Sequence, residues 1–168
     1  LAELQNDCSR LFKISPDETL RIAQELYEKK LTTYPRTDAR VLSTAVAKEI
    51  DKNIRGLTTY QPMAQKAAYV LNEKRYANIA KTKYVNDKMI TDHYAIIPTG
   101  QGFGALNSLH PTSAKVYELI CGRFLSIFYP PAEYEKLSLT LQCLDESFFA
   151  SFKVQTSKGY LAVTEYSF

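Results

Sequence analysis

A tyrosine, an arginine and an aspartate stand at alternate positions in Tyr34-Pro35-Arg36-Thr37-Asp38. A phenol titrates near pH 10, so at neutral pH it becomes a nucleophile only with help from a cation, a general base or both. Pro35 disfavours helix at Tyr34 and holds the chain extended there. In an extended chain, positions i and i+2 face the same side, which sets Arg36 beside the phenol. A guanidinium offers a planar fork of donors that matches phosphate oxygens, and it offsets charge that builds on them in a transition state. Asp38 falls on the same side, where it either orients Arg36 or caps the following turn. The chemistry these types could perform together is phosphoryl transfer to a tyrosine oxygen. Taken alone, the same segment also fits a packing or turn tyrosine beside a proline.

A second candidate is His93, one of two histidines, in Asp92-His93-Tyr94-Ala95-Ile96-Ile97-Pro98-Thr99. Asp92 could hold the ring or raise its pKa, and an imidazole near a phosphate is a useful donor. Ala95-Ile96-Ile97 is an apolar anchor and Pro98 fixes the chain beyond, so the imidazole would be held rigidly. A surface or capping histidine fits the same pattern. His110 precedes Pro111 and reads as a helix N-cap residue without chemistry. Lys74, Arg75, Lys81 and Lys83 either track a phosphate backbone or form a solvated face.

The elements that must carry these groups are mostly helical. Ser15-Pro16-Asp17-Glu18 is a capping box with proline at the first helical position. Leu20, Ala23, Leu26 and Tyr27 follow at helical spacing, which predicts a helix ending at the basic pair Lys29-Lys30. A second helix is expected after Ser43 (Val46, Ala47, Ile50, Ile54), and a third from Pro62 (Ala67, Ala68, Val70, Leu71). Residues 77–107 read as irregular chain with a glycine-rich turn at Gly100, Gly102 and Gly104. A long helix is expected from Pro111 to Phe128, stopped by Pro130-Pro131. The tail then alternates. Leu137, Leu139 and Leu141 interleave with Ser138, Thr140 and Gln142, a turn falls at Asp145-Glu146-Ser147, and Phe148–Val154 forms the next strand. A further strand is expected over 160–164.

Bulk properties bound the reading. The 168 residues are 45% hydrophobic, enough for one sizeable core or a domain and part of another, and the formal net charge is +3. That charge is too small for a module that binds nucleic acid by charge alone. Cys8, Cys121 and Cys143 are widely spaced, with no CxxC pair, so no zinc site is expected and buried structural cysteine is the plain reading. No apolar run approaches the roughly 20 residues of a membrane span. There are twelve tyrosines and no tryptophan; several could stack on bases, but Tyr27, Tyr69 and Tyr117 fall on apolar helix faces and read as core. Leu1 and Phe168 both read as cuts through a longer protein.

Leu26-Tyr27-Glu28-Lys29-Lys30-Leu31-Thr32-Thr33-Tyr34-Pro35-Arg36-Thr37-Asp38-Ala39-Arg40-Val41-Leu42 resembles the active-site stretch of type IA DNA topoisomerases, most closely their bacterial topoisomerase III branch. Asp92 to Thr99 resembles that family's second motif, which commonly reads HHAIIPT, with Tyr94 in place of the second histidine. The resemblance runs over about residues 10–166. It implies an α+β protein: a mainly helical domain, 13–132, carrying the catalytic tyrosine and inserted into a β-rich hinge domain. Residues 1–12 would be the incoming end of that hinge domain and 133–168 its returning antiparallel strands. It implies that Tyr34 forms a 5′-phosphotyrosine link to one DNA strand, that Arg36 positions the scissile phosphate, and that His93 supports the transesterification. It also implies DNA contacts from Arg36, Thr37, Asp38, Arg40 and His93.

The resemblance further implies Mg²⁺, held with a catalytic lysine and glutamate by a Toprim domain. No DxD motif of that kind occurs in this chain, so no metal or cofactor is expected on it, and alone it should not relax DNA. The implied partner is single-stranded DNA, without a membrane; the implied location is the cytoplasm, with the nucleoid, and a monomer is expected. The rival reading is a non-catalytic DNA-binding or interaction module on the same fold, distinguished by whether a Toprim domain lies upstream. A tyrosine recombinase is set aside, because neither His93 nor His110 is followed by arginine at His-x-x-Arg spacing.

Overall fold

A computed structural model describes residues 1–164. Its element order is α1 (Ala2–Phe12), α2 (Pro16–Glu28), α3 (Thr44–Lys48), α4 (Ile50–Leu57), α5 (Ala64–Asn72), α6 (Pro111–Ser126), β1 (Glu133–Cys143) and β2 (Glu146–Ser157). Short 3₁₀ turns at 75–81, 87–89 and 103–108 fill the stretch between α5 and α6. The α+β character stands.

The helix starts follow the capping residues. Ser15 Oγ accepts the Glu18 N–H at 3.1 Å and opens α2. Ser43 Oγ accepts the Val46 N–H at 3.1 Å and opens α3. His110 caps α6, its Nδ1 accepting from Thr112 N at 3.2 Å. Helix α6 is apolar on nearly every side and is buried along its length, as an all-round apolar helix must be. Leu26 of α2, Ile54 and Leu57 of α4, Val70 of α5, and Val116, Tyr117 and Leu125 of α6 form the fully buried centre.

Several elements differ from the expectation. Residues 2–12, to which the sequence reading assigns no element, are helix α1, packed on α2 and α6 with Cys8 buried. The single helix expected after Ser43 breaks at Glu49, whose N–H bonds Val46 O in a 3₁₀ step (3.1 Å), so Ile50, Ile54 and Leu57 can face the core from a new axis. The hairpin turn is the pair Leu144-Asp145, with Leu144 at φ 54°, and not 145–147. Residues 159–162 form a 3₁₀ turn in place of a strand. Gly159, at φ 48°, brings its backbone against the carbonyls of Pro130 and Pro131, Tyr160 N donates to Pro130 O at 2.9 Å, and Val163 is buried. Residues 165–168, expected among the returning strands, lie outside the described residues.

The two strands pair antiparallel, with Leu137 opposite Phe152, Leu139 opposite Ala150 and Leu141 opposite Phe148. Those leucines and phenylalanines share one face, and that face is exposed. Of the cysteines, Cys8 and Cys121 are buried as expected, but Cys143 is exposed beside the hairpin turn.

Candidate active site

The two motifs are stitched to one another. Helix α2 ends in a Schellman turn: Lys30 N bonds Tyr27 O at 2.8 Å and Leu31 N bonds Leu26 O at 2.9 Å, with Lys30 left-handed at φ 62°. The chain so redirected pairs with the second motif. Thr32 bridges Pro98, Thr33 N bonds Ile97 O at 3.0 Å and Thr99 N bonds Leu31 O at 3.0 Å. Threonine hydroxyls, which donate and accept at once, complete the seam. Thr33 Oγ1 donates to Ala95 O (3.2 Å) and accepts from Ile97 N (2.9 Å). Thr37 Oγ1 donates to His93 O (2.8 Å) and accepts from Ala39 N (3.1 Å). Thr99 Oγ1 donates to Lys30 O (2.6 Å). Ala95 N, in turn, bonds Val41 O at 3.0 Å. Thr33 and Val41 therefore both meet Ala95, and residues 34–40 form a loop pinched at its base and tied to His93 at Thr37.

The seam is backed from below. Asn53 Nδ2 of α4 donates to Pro98 O at 3.0 Å, and Gly56 of α4 lies backbone to backbone against Gly100. Gly100 is left-handed (φ 76°), and a Cβ on either glycine would collide with the other segment.

Within the loop, burial alternates as the extended reading requires: Pro35, Thr37, Ala39 and Val41 are buried, while Arg36, Asp38 and Arg40 are exposed. Tyr34 is half-buried between two rings. His93 lies 4.5 Å away centroid to centroid at 47°, and Tyr27 meets it edge-on at 5.4 Å and 81°. The Tyr34 hydroxyl has no hydrogen-bond partner among the described residues and is open to an incoming group. Arg36 lines a shallow hollow along α2 with Asp17, Gln24 and Glu28, and makes no ion pair among the described residues.

A family model described as DNA topoisomerase matches residues 1–168. The chain is 39% identical to DNA topoisomerase 3 of Bacillus licheniformis over 168 residues, which is 99% of this chain and 22% of that protein. It is 40% identical to DNA topoisomerase 3 of Bacillus subtilis over 164 residues (97% and 22%), and 37% identical to that of Bacillus thuringiensis over 171 residues (100% and 22%). The chain belongs to the type IA DNA topoisomerase family. It spans about a fifth of the length of the curated relatives it matches.

For a type IA topoisomerase segment, the structure brings Tyr34, His93 and Thr37 together and leaves the other candidates around them. Asp92 is exposed and does not bond the His93 imidazole; the ring is fixed instead through its backbone, by the Thr37 bond. Asp38 neither bonds Arg36 nor caps the turn, because Thr37 Oγ1 takes the Ala39 N–H. Arg40 pairs with Glu3 at 3.3 Å, both well exposed, an interaction worth at most about 1 kcal/mol. Among the described residues no group of three or more His, Cys, Asp or Glu could hold a metal ion. No helix of the described residues is long and apolar enough to cross a membrane.

Tyr27 and Tyr69 are expected in the core with Tyr117, yet each is 40% exposed and only Tyr117 is buried. The buried stripe of α2 is Thr19, Ile22, Ala23 and Leu26, which leaves Tyr27 on the margin, where the Schellman turn folds Tyr34 back onto it. The Ser15 cap fixes the start of the helix but not this rotation.

Proposed function

We propose that this chain is the strand-cleaving segment of a type IA DNA topoisomerase and that Tyr34 is its nucleophile. The observation that carries the reading is the placement of Tyr34. Its ring is clamped by Tyr27 and His93 at the base of a loop that both motifs hold, while its hydroxyl stays open. In the proposed step the Tyr34 oxygen attacks a backbone phosphorus of single-stranded DNA. The Oη–P bond forms and the bond from phosphorus to the 3′ oxygen breaks. The phenolic proton is lost and the leaving oxygen gains one, giving a 5′-phosphotyrosine and a free 3′-hydroxyl. One phosphoester replaces another, so the reverse step reseals the strand without ATP.

Arg36, exposed and unpaired, is suited to grip the scissile phosphate with its fork. The His93 imidazole, also exposed, would donate to a phosphoryl oxygen beside the phenol. Thr37 is buried with its hydroxyl engaged on both sides, so its part is to hold the loop against His93. Asp38 and Arg40 flank the DNA path, and Arg40 would exchange Glu3 for phosphate. Mg²⁺ would come with a Toprim domain outside this chain, and the chain alone is expected not to relax supercoiled DNA. The exposed apolar face of the hairpin supports assigning residues 133–168 to a β-rich domain completed by other parts of the protein. On this reading the enzyme works as a monomer in the cytoplasm.

The test is Tyr34→Phe in the full-length topoisomerase carrying this segment. Covalent DNA trapping and relaxation should both be lost while the folded state is kept. Trapping that persists in this variant removes Tyr34 as the nucleophile.

A further inference from the structure

Residues 74–88 hold Lys74, Arg75, Lys81, Lys83 and Lys88 against the one carboxylate of Asp87. This short segment therefore carries +4, more than the +3 of the whole chain, and the rest of the chain is net acidic. All five basic residues are exposed, and none takes part in the ion pairs of the described residues, which lie elsewhere. Asp87 does not neutralise them. Its carboxylate accepts from Thr44 N (2.8 Å) and Thr44 Oγ1 (2.6 Å), bonds that hold it below the usual carboxylate range.

The segment is also fixed in place beside the site. Leu42 N donates to Tyr84 O at 2.8 Å, Asn86 N donates to Leu42 O at 3.1 Å, and Leu42 bridges Val85 in parallel. Leu42 follows Val41, whose carbonyl closes the Tyr34 loop on Ala95. One peptide step thus joins the Tyr34 loop to this basic segment. Aromatic rings are interleaved with the charges: Arg75 lies over the 40%-exposed Tyr69 at 5.5 Å, and Lys83 over the half-buried Tyr84 at 5.5 Å. Unpaired cations that follow a chain, with rings between them, are the surface that single-stranded nucleic acid selects.

We infer that residues 74–88 form a second DNA subsite, which grips the phosphates of the cut strand where it extends beyond the Tyr34 loop. The inference rests on the proposed function. Lys81, Lys83 and Lys88 supply phosphate contacts, and Tyr84 supplies a stacking face.

The test measures single-stranded oligonucleotide binding against salt by fluorescence anisotropy, in the full-length enzyme carrying Tyr34→Phe so that no cleavage intervenes. Adding Lys81→Ala, Lys83→Ala and Lys88→Ala together should flatten the log–log salt slope by about 2, since each single-strand phosphate contact contributes about 0.7. Affinity near 0.15 M salt should fall roughly ten- to a hundredfold and converge with the parent at high salt. The difference should grow with oligonucleotide length, and arginine at the three positions should restore the slope. An unchanged slope overturns the subsite. So does an equal loss from Lys136→Ala, Lys153→Ala and Lys158→Ala, which remove the same charge from the hairpin and the residues after it. Failure of the Tyr34 assignment registers separately, as covalent trapping that survives Tyr34→Phe.

Discussion

Residues 31–33 and 137–141 are both extended chain, yet they are held in opposite ways. In the first segment Leu31 and Thr32 are buried, and the chain is bonded to partners more than sixty positions away, through Thr33 to Ala95 and Ile97 and through Leu31 to Thr99. The second pairs only with the strand that follows it, and Leu137, Leu139 and Leu141 are all exposed. A local hairpin forms readily but gains little from burial, since a two-stranded ribbon has no core of its own. A seam of distant bonds is slow to assemble, because loop closure must come first. Once assembled, it holds side chains to the tolerance that chemistry needs. In this chain the candidate residues Tyr34 and Arg36 lie in the loop that the seam closes, and His93 is tied to that loop through Thr37.

The largest effect that separates the two regions should come from truncating a leucine in each. Leu26 is fully buried beneath the seam, and its carbonyl takes the Leu31 N–H. Leu26→Ala should destabilise the chain by about 2–5 kcal/mol, the range for a cavity in a packed core. Leu139 is 42% exposed on the hairpin face, and Leu139→Ala should change stability by less than about 0.5 kcal/mol, as surface substitutions do. Urea denaturation followed by helical circular dichroism measures both. Equal losses would mean that the hairpin face is covered by the chain itself.

The same contrast decides what the sequence could disclose. Caps are local, so Ser15, Ser43 and His110 announced their helices, and alternation announced the hairpin. The residue types of the two motifs were legible, as was the alternation that separates Arg36 and Asp38, both exposed, from buried Pro35 and Thr37. The pairing of the motifs through three threonines was not, because nothing at Thr33 names Ala95 as its partner. Nor was the break at Glu49, where helical propensity is continuous and only the demand of Ile50 and Ile54 for the core bends the axis. The 3₁₀ turn at 159–162 escaped for a similar reason. Tyr160 and Val163 have strand-like side chains, but the backbone at Gly159 must turn back onto Pro130.

A smaller effect, of opposite sign at neighbouring positions, tests the seam itself. Thr33 Oγ1 is bonded on both sides, whereas Thr32 Oγ1 is buried with no partner among the described residues. Thr33→Val keeps the shape but strands the Ile97 N–H, and should cost about 1–3 kcal/mol. Thr32→Val removes an unsatisfied hydroxyl and should be neutral or stabilising by up to about 1 kcal/mol. Chemical denaturation of both variants ranks them. A matching loss at Thr32 would show that its hydroxyl has a partner in solution and that water enters the seam.

The smallest expected effect is a difference in alkaline response. Burial pushes the Cys8 thiol up to about 11, with the charge of Asp7 adding and a bond to Thr19 opposing. Burial also raises Tyr60, Tyr117 and Cys121, and all four lie in the helical body. A folded-state pKa above the unfolded one means that stability is fully present below the unfolded value and is lost as pH rises through the folded one. Unfolded thiols and phenols titrate near about 8.5–10, so the melting temperature should begin to fall near pH 9 and keep falling toward pH 11. Cys8→Ala should make that fall shallower. The hairpin gives an internal control, because Cys143 is exposed. In the native protein a thiol reagent should label Cys143 at once and reach Cys8 and Cys121 only on unfolding. Alkaline loss of helical signal that coincides with labelling of Cys8 would place the transition in the body that carries Tyr34. Labelling of Cys8 at neutral pH, before any loss of signal, would show that α1 opens independently and that the protection of the site begins at α2.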